Sequence, residues 1–164
     1  MHKLYLAGGY GFSEMGSMAI KSIETVLQPI FSVYNPFIES TMLGNQSAAI
    51  DQQLKSPMAS IDRQKLFGQL VEINRQIGAE NAKHIRDSDV ILAILDGLDM
   101  DSGTCAEIGY AFGLGKRIFG YRSDFRNAGE NVASIVNLQV QYFIEASGGK
   151  IFRSIHELKE AKLL

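Results

Sequence analysis

A single cysteine, Cys105, in a chain of 164 residues leaves no internal disulfide to be made. The fold must therefore rest on a buried core, and the chain is long enough to build one. Basic runs are missing too, and the net charge is −2, so nothing points to nucleic acid or an anionic membrane as a partner. No apolar stretch approaches the roughly 18 to 20 residues of a membrane span, and that in "MHKLYLAGGYGF" is too short for a signal peptide. A cytoplasmic protein is expected. The three histidines, His2, His84 and His156, are scattered and offer no zinc-binding spacing. With only three prolines, no internal repeat and no linker, residues 1–164 read as one domain.

What is present is an alternation of apolar strands and amphipathic helices. "KLYLAGG" reads as a buried strand, followed by a helix over "SEMGSMAIKSIETVLQ" with Ser13 as its N-cap. "FSVYNPF" is a second strand closed by Asn35-Pro36. Residues 39–60, rich in Ser, Gln and Met without clear period, read as an active-site loop with at most a short helix. A long helix is expected from about Asp62 to Arg86, with Leu66, Leu70, Ile73, Ile77 and Ile85 on one face. "DVILAILDG" and "KRIFGY" are further strands, separated by a helix from Ser102 to Gly115. After a polar loop, "IVNLQVQYFIEAS" reads as a helix, "GGKIFR" as a short strand and "SIHELKEAKLL" as a closing helix.

Strands that are apolar rather than alternating, interleaved with helices, predict a parallel sheet covered on both faces. About five such strands fit a doubly wound, flavodoxin-like α/β fold, whose ligands bind beyond the carboxyl ends of the strands. That rim would gather Gly8, Gly9, Asn35, the stretch Asp96 to Asp101, and Tyr121 to Asp124.

The most informative stretch is "DGLDMDSGTCAEIGYAFGLGK", residues 96–116. Between Ser102 and Gly115 its only charge is Glu107, and a carboxylate in such a helix costs free energy unless it is used. Asp101 or Ser102 can cap the helix, Gly103 lets a ligand approach the backbone, and three of the four helical neighbours of Glu107 are small. Glu107 reads equally as an anion stabilised by the helix dipole, as half of a core salt bridge, or as a reacting group. Asp96 and Asp101 share its rim, and paired carboxylates suit glycosyl transfer, one attacking the anomeric carbon while an acid assists the leaving group. They make a weak metal site, since hard cations take more oxygen ligands at close spacing. Neither metal nor cofactor is expected: "AGGYGF" lacks the G-x-G-x-x-G spacing of a dinucleotide site. It reads instead as a tight turn, or as one in which Tyr5 and Phe12 wall a planar ligand. Ser102 has no His–Asp partners for serine hydrolysis, and Cys105 reads as a small core residue.

Taken together, "LYLAGGYGF", "ENAKHIRDSDVILAILDG", "DSGTCAEIGYAFGLGK" and "VNLQVQYFI" resemble the nucleoside 2′-deoxyribosyltransferase family, over most of the chain outside residues 39–60. The combination D-S-G-T-x-x-E-x-G-Y-A carries the likeness. The resemblance implies exchange of 2-deoxyribose between nucleobases, with deoxynucleosides and free bases as substrates. It implies Glu107 as the nucleophile, Tyr5 as the phenol that orients it, Asp101 on the sugar and base side, and Phe12 as a wall of the base pocket. Asn137 matches a residue lent to a neighbouring subunit, so a homo-oligomer is implied. One position departs: a proton-donating aspartate of several members falls here on Asn81, whose amide cannot deliver a proton. Either Asp101, Asp96 or water then supplies the acid, or the base selectivity differs from that of those members. An ionised Glu107 would be favoured by the nearby helix N-terminus. The alternatives are a nucleotide N-glycosidase, with Ser13, Ser102, Arg122 and Arg126 as phosphate contacts, and a non-catalytic nucleotide sensor.

Overall fold

A computed structural model of the chain describes residues 1–56 and 62–164, and of Phe12 the backbone. The described residues fall into two compact units, Met1–Asn35 together with Ile85–Leu164, and Pro36–His84.

The first unit is the parallel sheet. Strand β1 (His2–Ala7) leads through a single 3-10 turn, Tyr10–Phe12, into helix α1 (Glu14–Leu27) and strand β2 (Phe31–Tyr34). Three helices come next: α2 (Pro36–Glu39), α3 (Thr41–Lys55) and α4 (Arg63–Asp87). Then β3 (Val90–Ile94), α5 (Ser102–Gly113), β4 (Arg117–Tyr121), α6 (Leu138–Ala146), β5 (Ile151–Phe152) and α7 (Ile155–Glu160) complete the order. All four pairings are parallel and the strand order is β2-β1-β3-β4-β5, the doubly wound arrangement expected. Strands are added in one direction from β1 to β2 and in the other from β3 onward, so the switch point lies at the carboxyl ends of β1 and β3.

Alternating strand residues feed two cores. Leu4, Leu6, Val90, Leu92, Ile94 and Phe119 pack with Ile20, Ile23 and Leu27 of α1 and Leu158 of α7. Tyr5, Ala7, Ile91, Ala93, Leu95 and Ile118 pack with Ile108 and Ala111 of α5 and Val140 and Ile144 of α6. Both faces are apolar because both are covered by helices, which is why these strands show no polar alternation. Gly120 is where the cover comes closest: a Cβ there would stand 2.6 Å from Leu95 Cδ1.

Two expectations are corrected. Glu39 ends α2, Ser40 is a turn, and Thr41–Lys55 form the 15-residue helix α3, where a loop with a short helix was expected; the end of that segment, residues 57–60, lies outside the described residues. Leu43, Ser47, Ile50 and Leu54, at helical spacing, form the less exposed side of α3. Ser47 interrupts that stripe chemically but not geometrically, which hid the period. The second correction is at α6, which starts at Leu138 and not at Ile135, with Asn137 as its N-cap. An Asn side chain that accepts from the first free N–H groups favours a start at its own position.

Candidate active site

The sheet unit brings Tyr5 and Glu107 together. Tyr5 belongs to β1 and is completely buried, and its hydroxyl donates to Glu107 Oε1 at 2.5 Å. Glu107 projects from the second turn of α5 on the same sheet face. Burial pushes its pKa up, Asp101 adds to the rise, and the Tyr5 hydrogen bond opposes it; the net value is about 7. Against the help expected for the anion from the helix N-terminus, burial works in the opposite direction. Glu107 lies past the first turn, where the dipole fades, and desolvation prevails. The Tyr5 phenol is pushed upward too, by burial first and then by the Glu107 charge, so it stays a proton donor.

Asp101 caps α5: its Oδ2 accepts from the Thr104 N–H at 2.7 Å and from the Thr104 hydroxyl at 2.9 Å. Two expected glycines crowd against it. A Cβ at Gly9 would lie 3.2 Å from Asp101 Cβ, and one at Gly103 would lie 3.1 Å from Asp101 Oδ2. Gly8 presses on β3 instead, where a Cβ would meet Ile94 Cβ at 2.9 Å. Gly8, Gly9, Asp101 and Gly103 thus form one close-packed corner at the ends of β1 and β3.

Asp96 has a different use. It accepts from the Tyr10 hydroxyl, from the Ser123 hydroxyl at 2.6 Å and from the Asp124 N–H at 2.8 Å. Both carboxylate oxygens are engaged, and the result ties the turn after β1 to the segments leaving β3 and β4. Beneath this tie lies Arg122, with 0% exposure, donating to the carbonyls of Leu95, Gly97 and Arg126. Tyr10 and the buried role of Arg122 escaped the sequence reading. An arginine directly after an apolar strand was the available signal.

Asn137, Asn81 and Phe12 are the remaining expected residues. Asn137 accepts from the N–H groups of Gln139 and Val140 and donates to Glu130 Oε1 at 2.6 Å. Asn81 lies in α4, in the second unit, and its buried Oδ1 has no hydrogen-bond partner among the described residues. The Phe12 side chain, expected as a pocket wall, lies outside what is described. Among the described residues no group of three or more His, Cys, Asp or Glu is placed to hold a metal ion, and no helix is long and apolar enough to cross a membrane.

A family profile described as nucleoside 2-deoxyribosyltransferase matches residues 4–140. The chain belongs to that family. The match spans every element from β1 to the start of α6, including the Tyr5–Glu107 pair and the Asp101 cap. Among solved structures, the 2-deoxyribosyltransferase of Bacillus psychrosaccharolyticus aligns with a TM-score of 0.64 at 20% identity, over 98% of this chain and 92% of that one. The 2-deoxyribosyltransferase of Leishmania mexicana gives 0.59 at 20% identity, over 95% and 93%. The CMP N-glycosidase of Clostridium botulinum gives 0.55 at 17% identity, over 96% and 94%. At these identities the likeness establishes the fold that the deoxyribosyltransferase family uses. No curated protein sequence shows significant similarity to the chain.

Proposed function

We propose that the protein transfers 2-deoxyribose between nucleobases by double displacement through Glu107, the whole chain acting as one catalytic domain. The observation that carries this is the buried Tyr5 hydroxyl bound to a carboxylate whose pKa lies near neutrality. With Tyr5 on Oε1, the other oxygen attacks C1′ of the bound deoxynucleoside. The N-glycosidic bond breaks, its electron pair leaves with the base, and a deoxyribosyl ester forms on Glu107. An acid protonates the leaving base. Asp101 is assigned this role, because the oxygens of Asp96 are occupied by Tyr10, Ser123 and Asp124. A nitrogen of the incoming base then attacks C1′ from the other face as its proton passes to the Asp101 carboxylate; the ester bond breaks, returning the Glu107 carboxylate and the original configuration.

A nucleoside fits better than a nucleotide as substrate. Three of the four residues considered as phosphate contacts, all but Ser102, are engaged elsewhere: Ser13 caps α1, Arg122 is spent on buried carbonyls and Arg126 is paired with Asp124 at 2.5 Å. Assembly into a homo-oligomer that completes the site is part of the proposal, supported by Leu138 and Tyr142, which stand exposed on α6 beside Asn137.

The test is incubation of 2′-deoxyinosine with and without adenine. Deoxyadenosine formed only with adenine supports transfer. Free deoxyribose in both tubes would replace transfer by hydrolysis, and no reaction in either would reject both.

A further inference from the structure

The position of the Tyr5 hydroxyl depends on one torsion. A phenol oxygen lies on the axis of χ2, so ring flips leave it in place, whereas a change in χ1 to another staggered well would carry it away from Glu107. Something must hold the ring in its χ1 well. In the register of β1 with β2, Tyr5 stands directly opposite Tyr34. The two rings are stacked, with centroids 5.6 Å apart and planes inclined by 23°. Phe31 and Val33 of β2 serve the opposite core, while Tyr34 packs against the core that contains Tyr5. The end of β2 is itself anchored: Asn35 is buried and donates to Glu24 Oε1 of α1 at 2.8 Å.

We infer that Tyr34 is a positioning residue of the site, which fixes the Tyr5 ring by stacking and so holds the Tyr5 hydroxyl on Glu107. The Tyr34 phenol also helps keep Tyr5 protonated, in the donor form. The catalytic meaning of this assignment rests on Glu107 being the nucleophile, but the coupling of Tyr34 to Glu107 does not. Glu107 is faced by Tyr5 from β1 and by Asp101 from its own helix, and Tyr34 reaches it through Tyr5.

The coupling can be read without substrate, by following the Glu107 carboxyl carbon through a pH titration in 13C-glutamate-labelled protein. Tyr5→Phe removes a hydrogen bond that favours the carboxylate, so the midpoint should rise by about one pH unit, a tenfold change in proton affinity. Tyr34→Leu should reproduce most of that rise, and Tyr34→Phe, which keeps the ring, should move it by less than about a third as much. In the Tyr5→Phe background, Tyr34→Leu should move the midpoint no further. If Tyr34→Leu does not fold, Tyr34→Met replaces it in the same comparison. An unmoved midpoint in the leucine or methionine variant, an equal movement in the Tyr5→Phe background, or a full movement with Tyr34→Phe would each overturn the assignment. Failure of deoxyribosyl transfer in the wild type would instead reject the proposed function and leave this result standing.

Discussion

Replacing Glu107 by Gln should make the protein more stable and inactive at the same time. The rise of the Glu107 pKa from 4.5 to about 7 corresponds to about 3 kcal/mol of unfavourable burial of the ionised form. The sign follows from proton binding. Between pH 4.5 and about 7 the folded chain holds a proton on Glu107 that the unfolded chain has released. This group therefore contributes most to stability below pH 4.5, and the contribution is lost as pH rises through about 7. Gln mimics the protonated side chain at every pH, and its amide oxygen still accepts from Tyr5. At pH 4 the two proteins should unfold at nearly the same denaturant concentration. At pH 8 the variant should be more stable by up to about 3 kcal/mol, less the screening by solvent that reaches the incompletely buried carboxylate. With about 2–4 °C per kcal/mol for a domain of this size, thermal unfolding should show a gain of several degrees. Urea titrations at pH 4, 6 and 8 measure the trend. A variant less stable than wild type at pH 8, or a difference independent of pH, would refute the reasoning.

The pH–rate profile tests the same group in action: kcat/KM for transfer should rise with a midpoint near pH 7, as Glu107 loses its proton. A profile flat from pH 5 to 8 would separate Glu107 from the rate. Asp96→Asn puts an amide donor among three donors, Tyr10, Ser123 and the Asp124 N–H. It should cost about 1–3 kcal/mol in denaturant unfolding, and an unchanged stability would mean that the tie is not formed. Asp101→Asn should slow exchange from poor leaving bases more than from activated ones; equal slowing would reduce Asp101 to a helix cap.

The sheet was readable because the strands are mostly apolar without alternation, the clearest being the unbroken run "DVILAILDG" with a turn signal at its end. Ser13 and Asp101 were readable as caps for the same local reason. Helix α3 was not, because its half-buried stripe includes Ser47, and pattern reading weighs chemistry where the structure uses spacing. Glu107 stood out as the sole charge between Ser102 and Gly115, but the sign of its pKa shift did not. That shift is set by long-range burial against β1, which helix position alone does not express. The Tyr10–Asp96 bond joins residues 86 apart, and the Tyr5–Tyr34 stack depends on strand register. Neither is a property of any local stretch.

Mass spectrometry of wild-type enzyme quenched with a deoxynucleoside and no acceptor base tests the central claim most directly. The account predicts a deoxyribosyl adduct on the peptide that contains Glu107, lost on addition of a free base and never formed by Glu107→Ala. An adduct on another residue, or near-wild-type transfer by Glu107→Ala, would contradict it.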